Sequence, residues 1–433
     1  MPTYIYADNY RGFRNALVPI ERVNFLVGEN SSGKSSFLLL IETMAQLNFW
    51  GFEPRFGAPG RSEHHFLDLV SVDSNNKKSF TIGALLVPTQ SNQNIHGMFV
   101  TYSSMDGRPV PNKVSIADGG TVRSVSGAFY SRKRGSTFKC ASKKFNITTL
   151  SKSPEHIASS IAKFHAASKA EIDVINDRFG DPLLIRFTDK LYESPKFDHG
   201  NFEIKAPDFA EGFVEIAPIR SKPKRIYDSP QTSYSSEGAH IPYVIRKRLK
   251  SAATAKSFKA FMDYAGKGSG LFSSIDIKEY SNEPRAPFEV NINLDESPLS
   301  LDTVGYGVSQ SLPVIVEAFI RPKKSAFSIQ QPEVHLHPRA QAMFGDLIAQ
   351  LARTDAKKFF IETHSDFLID RYRSNIKNHQ KESSGFNSQI LYFQHQSGIN
   401  SVYPIKIESD GSVSGNQPAE YREFFIRESL SLL

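Results

Sequence analysis

Residues 28–35 read Gly-Glu-Asn-Ser-Ser-Gly-Lys-Ser and satisfy every fixed position of the phosphate-loop pattern G-x-x-x-x-G-K-[ST]. Residues 22–27 (RVNFLV) are typical of a short buried strand, and residues 37–44 (FLLLIETM) are typical of a helix. A strand, a glycine loop and a helix in this order are the context in which the pattern is functional. A plain Gly/Ser turn before a helix is the alternative, which the flanking elements disfavour.

This loop has the chemistry that a triphosphate requires. Its glycines let successive backbone N–H groups converge on phosphate oxygens, and the following helix directs its positive end at them. Lys34 is expected to reach the β- and γ-phosphates, and the Ser35 hydroxyl is expected to ligate Mg²⁺. The sequence therefore predicts a nucleoside triphosphate site.

The composition is that of a globular protein, with 433 residues of which 39% are hydrophobic and 22% charged. This length fits two or three domains or one elaborated α/β domain. Cys140 is the only cysteine, which excludes an internal disulfide framework and a Cys-rich zinc site. The start of the chain lacks the apolar region of a signal peptide, and no apolar run reaches the roughly 18 residues of a membrane span. We therefore expect a cytoplasmic protein.

Lysine and arginine outnumber acidic residues by 52 to 45, and the excess is clustered. The clusters are residues 132–134, 143–144, 220–225 and 246–250. Such clusters can follow the phosphate backbone of DNA or RNA. They can equally be solvated surface or face acidic patches on a protein partner, and the sequence leaves these alternatives open.

Periodicity predicts strands before a helical middle region. The β-rich runs 79–88 and 97–103 predict an antiparallel subdomain, while the polar run 106–146 indicates exposed loops. Residues 154–192 have helical spacing, and a further helix is predicted over 242–264. The apolar positions of the first of these are Ile157, Ile161, Phe164, Ile172 and Ile175.

The last third of the chain returns to alternating strands and helices. Strands are predicted over 325–330, 358–362, 390–393 and 402–407, helices over 338–353 and from 367, and a tight turn at 410–411.

Three further segments follow the phosphate loop in a fixed order. Residues 301–312 (LDTVGYGVSQSL) form a glycine-spaced turn before a predicted helix over 313–319. Residues 327–338 read FSIQQPEVHLHP, and residues 359–366 (FFIETHSD) are a strand that ends at a histidine. Together the four motifs resemble the ABC-type ATPase heads of the RecF/SMC/OLD-like group, often classed as AAA-family ATPases. The match is to standalone bacterial members of the kind found in anti-phage defence systems.

The resemblance covers residues 1–50 and 215–433, including 217–227 (APIRSKPKRIY). It implies an α/β fold, namely a P-loop NTPase of the ABC-type ATPase-head class with an antiparallel β subdomain and a helical insertion. We accordingly predict three segments: 1–150, an N-terminal ATPase lobe; 151–290, a mainly helical insertion; and 291–433, a C-terminal lobe with the signature, Walker B-like and switch-histidine motifs. OLD nucleases carry a TOPRIM nuclease domain after the ATPase, and the 69 residues that follow His364 are too few for one.

The resemblance also implies roles for individual residues. The triphosphate and Mg²⁺ would be held by Gly28, Asn30, Ser32, Gly33, Lys34, Ser35 and Ser36. The signature segment would contact the γ-phosphate of a nucleotide held by a second protomer, through Gly305, Gly307, Ser309 and Gln310. His364 matches the switch histidine, which senses the γ-phosphate and helps place the attacking water. A glycine turn capped by Ser309, and a histidine beside a helix cap at Ser365 or Asp366, are the structural alternatives.

The Walker B-like segment departs from the family pattern. Where relatives have an acidic residue closing the strand, this chain has Gln330, followed by Gln331. A neutral amide holds Mg²⁺ or activates a nucleophile poorly, and Gln331 has no titratable carboxylate. We assign the catalytic positions to Gln330, Gln331, Glu333 and His364, and the metal ligands to Ser35 and Gln330.

Two explanations of Gln330 compete, a naturally weakened ATPase and a Glu-to-Gln change made to trap bound ATP. The second is favoured because the other motif positions are intact; in both, the chain binds ATP better than it hydrolyses it. Glu333, His335 and His337 alternate along a stretch expected to be extended and so suit a metal site. The family motif favours placing them on the dimer face.

The resemblance implies a head-to-tail homodimer, or a higher homo-oligomer, around two ATP molecules. Such a chain would be the sensor or regulatory subunit of a bacterial anti-phage system and control a separate effector nuclease or toxin. A RecF-like ATPase of DNA maintenance and a hydrolysis-deficient, ATP-gated scaffold are the alternatives.

Overall fold

The computed structural model describes residues 2–51, 54–57, 64–72, 74, 76–88, 94–127, 137–145, 153–167, 174–176, 204–281, 283, 285–294, 297–383, 385–415, 417–418 and 420–421. The chain divides into two compact units. The first comprises residues 1–21, 28–211 and 392–404, and the second comprises 22–27, 212–391 and 405–433. The division into segments 1–150, 151–290 and 291–433 stays a prediction.

The strands form three sheets, of eight, six and three strands. In chain order they are β1 (Thr3–Asp8), β2 (Ala16–Ile20), β3 (Val23–Gly28), β4 (Ser79–Leu86), β5 (Ile95–Met105), β6 (Arg108–Gly119), β7 (Thr121–Ser126), β8 (Thr137–Lys144), β9 (Val174–Asn176), β10 (Phe213–Ile216), β11 (Ser274–Glu279), β12 (Phe288–Leu294), β13 (Ser297–Ser300), β14 (Ala326–Gln330), β15 (Lys358–Glu362), β16 (Ser388–Gln396) and β17 (Ile399–Ile407).

The helices confirm most of the predicted helical segments. They are α1 (Lys34–Ala45), α2 (Leu47–Trp50), α3 (Phe66–Leu69), α4 (Pro154–Ala167), α5 (Ile241–Lys250), α6 (Ala255–Ser269), α7 (Tyr306–Ile320), α8 (Pro338–Thr354), α9 (Asp366–Asn378) and α10 (Gln380–Ser383), with a 3₁₀ turn at Asp208–Ala210. The helix predicted over 242–264 is in fact the two helices α5 and α6. Within the described residues, no helix has both the length and the apolar character needed to cross a bilayer.

The first unit is built on an eight-stranded sheet in the order β2-β1-β4-β5-β6-β7-β8-β9. All its neighbouring strands are antiparallel, which confirms the predicted antiparallel subdomain. Most of the run 106–146, which was predicted to contain exposed loops, forms strands β6, β7 and β8, and residues 128–136 and 146 lie outside the described residues. The many small and basic residues of this run obscured its strand pattern. The strands bury β-branched side chains, including Val114, Ile116, Val122 and Val125.

Helix α4 packs on this sheet through the apolar face that its spacing predicts. Ile157 and Ile161 belong to a buried cluster with Tyr6, Leu85 and Phe99. The helix ends at Ala167, and Ile175 lies in strand β9, so the helix predicted as far as 192 was wrong at that position. Ile172 and residues 177–192 lie outside the described residues.

The six-stranded sheet has the order β10-β14-β15-β3-β16-β17. Strands β10, β14, β15 and β3 pair in parallel. The register sets Gln330 opposite Glu362, and Glu362 opposite Leu26, so these strands end at the same edge. In open α/β sheets, ligands bind at the carboxyl ends of the parallel strands. The second unit therefore presents the ends of β10, β14 and β15 at the edge where a nucleotide site is expected.

Helix α7 begins earlier than predicted. The segment expected to be a turn before residue 313 is helical from Tyr306, and Pro313 lies inside the helix. Proline lacks the N–H that would bond the carbonyl four residues earlier, at Ser309, and such a loss costs about 3 kcal/mol. The helix continues because Val308, Leu312 and Ile315 are all buried along it.

His165 of α4 is a buried neutral histidine in the first unit. Its Nδ1 lies 2.6 Å from Ser115 Oγ, its Nε2 lies 2.9 Å from Thr101 Oγ1, and its ring stacks on Phe99. Burial and the nearby Lys113 cation lower the pKa of His165 from 6.5 to about 3. The folded state therefore excludes a proton that the unfolded chain takes up below pH 6.5.

We expect acid to destabilise this unit through His165. As the pH falls from 6.5 towards 3, the free energy of unfolding should drop by up to about 1.4 kcal/mol per pH unit from this residue alone. Urea unfolding at several pH values measures the slope, and His165→Gln should flatten it. His156→Gln, at an exposed histidine of the same helix, is the control. Equal slopes in all three proteins would contradict the assignment.

Candidate functional site

The phosphate loop has a backbone that requires glycine at two positions. Gly28 has φ 145° and Gly33 has φ 100°, in the region that residues with a side chain rarely adopt. A Cβ on Gly28 would lie 2.1 Å from the carbonyl oxygen of Phe393, and a Cβ on Gly33 would lie 2.6 Å from Nδ2 of Asn400. The loop thus runs against β16 and β17 at van der Waals distance, and its shape is fixed by residues that it directly contacts.

Lys34 holds the loop closed from within. Only 4% of the residue is exposed, and its ammonium donates hydrogen bonds to the carbonyls of Gly28 at 2.8 Å and Glu29 at 2.7 Å. The Ser32 hydroxyl donates to the same Glu29 carbonyl at 2.7 Å. The loop carbonyls are therefore engaged by these side chains.

The amino end of α1 fits an anion. Gly33 is its N-cap, and among the described residues no side chain caps this end and no acidic residue lies in its first turn. Its first amides and the helix dipole are thus directed at whatever binds there. Asn30 and Ser35 are exposed and Ser36 is half-buried, so the predicted triphosphate ligands share one loop. Site roles for these residues stay predictions.

Asn400 of β17 supports the phosphate loop from behind and was missed in the sequence. It is buried, and its Nδ2 donates to the Arg11 carbonyl at 2.8 Å, while His395 Nδ1 lies 2.6 Å from its Oδ1. Its backbone N–H also donates to the Gly12 carbonyl at 2.9 Å. An asparagine far along the chain gives no local signal, so only the fold reveals this contact.

In the second unit, the residues after β14 form a turn and not the expected extended stretch. Gln331 and His335 have positive φ values of 44° and 66°, and the Leu336 N–H bonds the Glu333 carbonyl. The premise that Glu333, His335 and His337 alternate along one face was therefore wrong. Within the described residues, no group of three or more His, Cys, Asp and Glu side chains is placed to hold a metal ion.

Glu333 is joined to His364 by a backbone hydrogen bond. The His364 N–H donates to Glu333 Oε1 at 2.7 Å. Burial raises the pKa of Glu333, and the His364 N–H and the Arg220 charge oppose that rise. The His364 residue is exposed, while the following Ser365 caps α9 by accepting from the Leu368 N–H. His364 thus stays accessible beside the helix cap, and its role as the switch histidine stays a prediction.

The signature segment lies at the start of α7. Gly305 is the N-cap and is exposed, Gly307 lies in the first turn, and Ser309 and Gln310 are buried. The Ser309 hydroxyl donates to the Tyr306 carbonyl at 3.0 Å, so it bonds within the helix and does not cap it. The exposed part of the segment is therefore the helix start, whose amides fit an anion.

The basic clusters differ in accessibility. Lys143 and Lys144 are exposed, and residues 132–134 lie outside the described residues. Arg220 and Arg246 are buried, which corrects their assignment to surface clusters. Arg246 forms a bidentate pair with Glu279, at 2.9 and 2.6 Å, over the ring of Phe288. These two arginines are structural or site residues rather than parts of a nucleic-acid surface.

We expect Gly28→Ala to destabilise the phosphate loop. The new Cβ would meet the Phe393 carbonyl and an unfavourable φ, costing on the order of 1–3 kcal/mol or more. Thermal melting measures the loss, with Gly415→Ala as control because a Cβ there meets nothing within 4 Å. Equal melting of the two variants would contradict the close approach.

Comparison with known proteins finds one sequence relative and several solved structures to which the chain is similar. The OLD nuclease of Thermus scotoductus is 32% identical over 125 residues, which are 28% of this chain and 23% of that protein. The chain thus matches less than a quarter of that relative's length. The SMC head domain from Thermotoga maritima has 12% identity and a TM-score of 0.41, over 93% of this chain and 98% of that one. An Smc head domain derived from Pyrococcus furiosus, bound to the C-terminal domain of ScpA, has 10% identity and a TM-score of 0.41 over 100% of both.

The family assignment rests on a match to most of the sequence. The profile of the AAA ATPase domain family matches residues 3–235 and 219–369. This match confirms the predicted P-loop NTPase class and the resemblance to AAA-family ATPases. The chain belongs to the AAA ATPase domain family.

Proposed function

We propose that this chain binds ATP at its phosphate loop, and that its natural form hydrolyses ATP. The observation that carries the proposal is the loop itself, where Gly28 and Gly33 have left-handed backbones and a buried Lys34 follows. Amides at the start of α1 and the Lys34 ammonium are suited to phosphate oxygens of high charge. Membership of an ATPase family supports the same conclusion.

Each of the two predicted Mg²⁺ ligands offers a neutral oxygen atom. Ser35 offers a hydroxyl and Gln330 an amide oxygen, and hard cations prefer oxygen ligands. Neither donor carries a charge, so the binding of Mg²⁺ would depend mainly on the phosphates. A carboxylate at position 330 would strengthen it.

Glu333 and His364 are proposed to act on the attacking water. In hydrolysis, the water oxygen forms a bond to the γ-phosphorus, and the bond between the γ-phosphorus and the β–γ bridging oxygen breaks. The water proton is transferred to a base. Glu333 is a carboxylate on the strand-end turn and can accept that proton, while the exposed His364 orients the water. Gln330 and Gln331 would contribute only hydrogen bonds.

We further propose that the chain forms a head-to-tail homodimer, or a higher homo-oligomer, around two ATP molecules. The exposed start of α7, at Gly305 and Tyr306, would supply amides to the nucleotide of the partner. Closure driven by that contact would change the surface offered to an effector. The chain would thereby act as the sensor or regulatory subunit of an anti-phage system with a separate nuclease or toxin.

Two other functions remain in competition. A RecF-like role in DNA maintenance is favoured by the exposed basic residues Lys143, Lys144, Lys222 and Lys224. A scaffold that binds ATP but hardly hydrolyses it is favoured by the neutral Gln330.

Lys34→Ala should abolish ATP binding. Charge-assisted bonds to phosphate are lost, and we expect at least a hundredfold weaker affinity in a fluorescent-nucleotide titration. Lys323→Ala, at a lysine that is 75% exposed, should bind as the parent chain does. Retained affinity in a folded Lys34→Ala protein would remove the basis of the proposed function.

The same pair of variants tests whether the chain binds a separate protein when ATP is bound. A separate protein recovered with the Lys323→Ala chain in ATP, and lost with Lys34→Ala, is the result that an ATP-gated regulator requires. Recovery of DNA in its place would support the DNA-maintenance function.

Gln330→Glu should raise the rate of phosphate release. A carboxylate at the end of β14 both attracts Mg²⁺ and accepts a proton, and we expect a gain of about 100-fold or more. Gln396→Glu is the matched control, because the same change is made at an exposed glutamine that ends strand β16 of the same sheet. No gain from Gln330→Glu would favour the scaffold.

A further inference from the structure

Arg220 joins the signature helix to the end of the Walker B strand. It lies four residues after β10, and only 3% of the residue is exposed. Its Nη2 donates to the Gln330 carbonyl at 3.1 Å, and its backbone N–H donates to Gln310 Oε1 at 3.3 Å. A single buried arginine therefore contacts both the signature segment and the Walker B-like strand.

Several polar atoms around Arg220 have no hydrogen-bond partner among the described residues. They are Nε and Nη1 of Arg220, Nε2 of Gln310 and Oε2 of Glu333. Leaving a buried polar atom unpaired costs roughly 1–3 kcal/mol, and more when the group is charged. Four such atoms on residues that contact or electrostatically influence one another call for hydrogen-bond partners that these side chains do not supply.

Arg220 is a buried cation whose charge is only partly balanced by its neighbours. Burial lowers the pKa of Arg220 to about 10, so the guanidinium remains protonated at neutral pH. Glu333 acts on it electrostatically, but Nε and Nη1 of the guanidinium have no hydrogen-bond partner within the described part of the chain. A buried cation with donors to spare is stabilised by an anion that brings its own acceptors.

We propose that Arg220 and Gln310 form a binding site for a phosphoryl oxyanion, in which Nε and Nη1 of the arginine and Nε2 of the glutamine are the donors. Glu333 Oε2 accepts a hydrogen bond from a water molecule beside the bound group. The proposal rests on the proposed function and extends it, because it adds a side-chain cation to the amides of the signature segment. The oxyanion is the terminal phosphate of a nucleotide or free inorganic phosphate, which share this chemistry.

Arg220→Met and Gln310→Glu test the site, with Arg225→Met as the matched control in the same segment. Arg225 is 74% exposed and should have no effect. Gln310→Glu retains an acceptor for the Arg220 N–H while replacing the unpaired donor with a negative oxygen. Gln310→Glu therefore tests the site even if Arg220→Met fails to fold. Arg220→Lys keeps the positive charge but has fewer donors, so it should give an intermediate effect.

Three titrations separate the sources of the oxyanion. If the site binds the terminal phosphate of ATP, Arg220→Met and Gln310→Glu should weaken the affinity for ATP relative to that for ADP by about 10- to 100-fold. With free phosphate as ligand, they remove the rise in melting temperature caused by inorganic phosphate, measured against sodium chloride of equal ionic strength, and leave the ATP-to-ADP ratio unchanged.

Unchanged responses to ATP, ADP and phosphate in folded Gln310→Glu and Arg220→Lys proteins would overturn the proposal. That result is distinct from the one that would contradict the proposed function, namely that the Lys34→Ala protein still binds ATP. A phosphate-induced rise in melting temperature that persists in Lys34→Ala would establish the Arg220 site independently of the phosphate loop.

Discussion

The close approach of the phosphate loop to strands β16 and β17 is the constraint on which the rest of the site depends. Only glycine fits at residue 28, where the Phe393 carbonyl occupies the space of a side chain, and at residue 33, where Asn400 does. This contact fixes the direction in which the amides at the start of α1 point. The Lys34 ammonium bonds two loop carbonyls, so a strong cation lies inside the same turn. Rigid donors placed before a ligand arrives favour tight binding of phosphate, because little ordering remains to be done.

A second, separate arrangement of charge lies in the second unit at the ends of parallel strands. There the Walker B-like strand ends in a neutral Gln330, and the nearby groups compensate only in part: Glu333 is a carboxylate whose pKa is raised by burial, and Arg220 is a buried cation. Under the proposed function, this site is expected to bind a nucleotide well and to hydrolyse it slowly, because Gln330 supplies no charge for Mg²⁺. Slow hydrolysis suits a nucleotide-gated regulator as well as a scaffold.

The motifs and most elements of the parallel sheet could be predicted because their signals are local. The strand over 358–362 was predicted to the residue, and that over 325–330 within one residue, because apolar runs between polar turns define them. Strands β6 to β8 were missed because basic and small residues face outward and obscure the buried valines. The start of α7 was missed because Pro313 suggested a boundary, whereas burial of the helix outweighs one lost hydrogen bond. Arg220 and Asn400 acquire their roles only through contacts with residues about 90 and 390 positions away, which no local pattern records.

The central claim is that the triphosphate lies between the phosphate loop of one subunit and the signature segment of its twin. Mixing two inactive chains tests it most directly, in a Gln330→Glu background so that phosphate release is the readout. One chain carries Lys34→Ala and the other carries Gly305→Asp, which places a negative charge at the start of α7, where a new side chain meets nothing within 4 Å. Each chain alone should be inactive, and the mixture should regain about a quarter of the parent rate, because half of the dimers are mixed and each mixed dimer has one intact composite site. A mixture as inactive as its components would contradict the account.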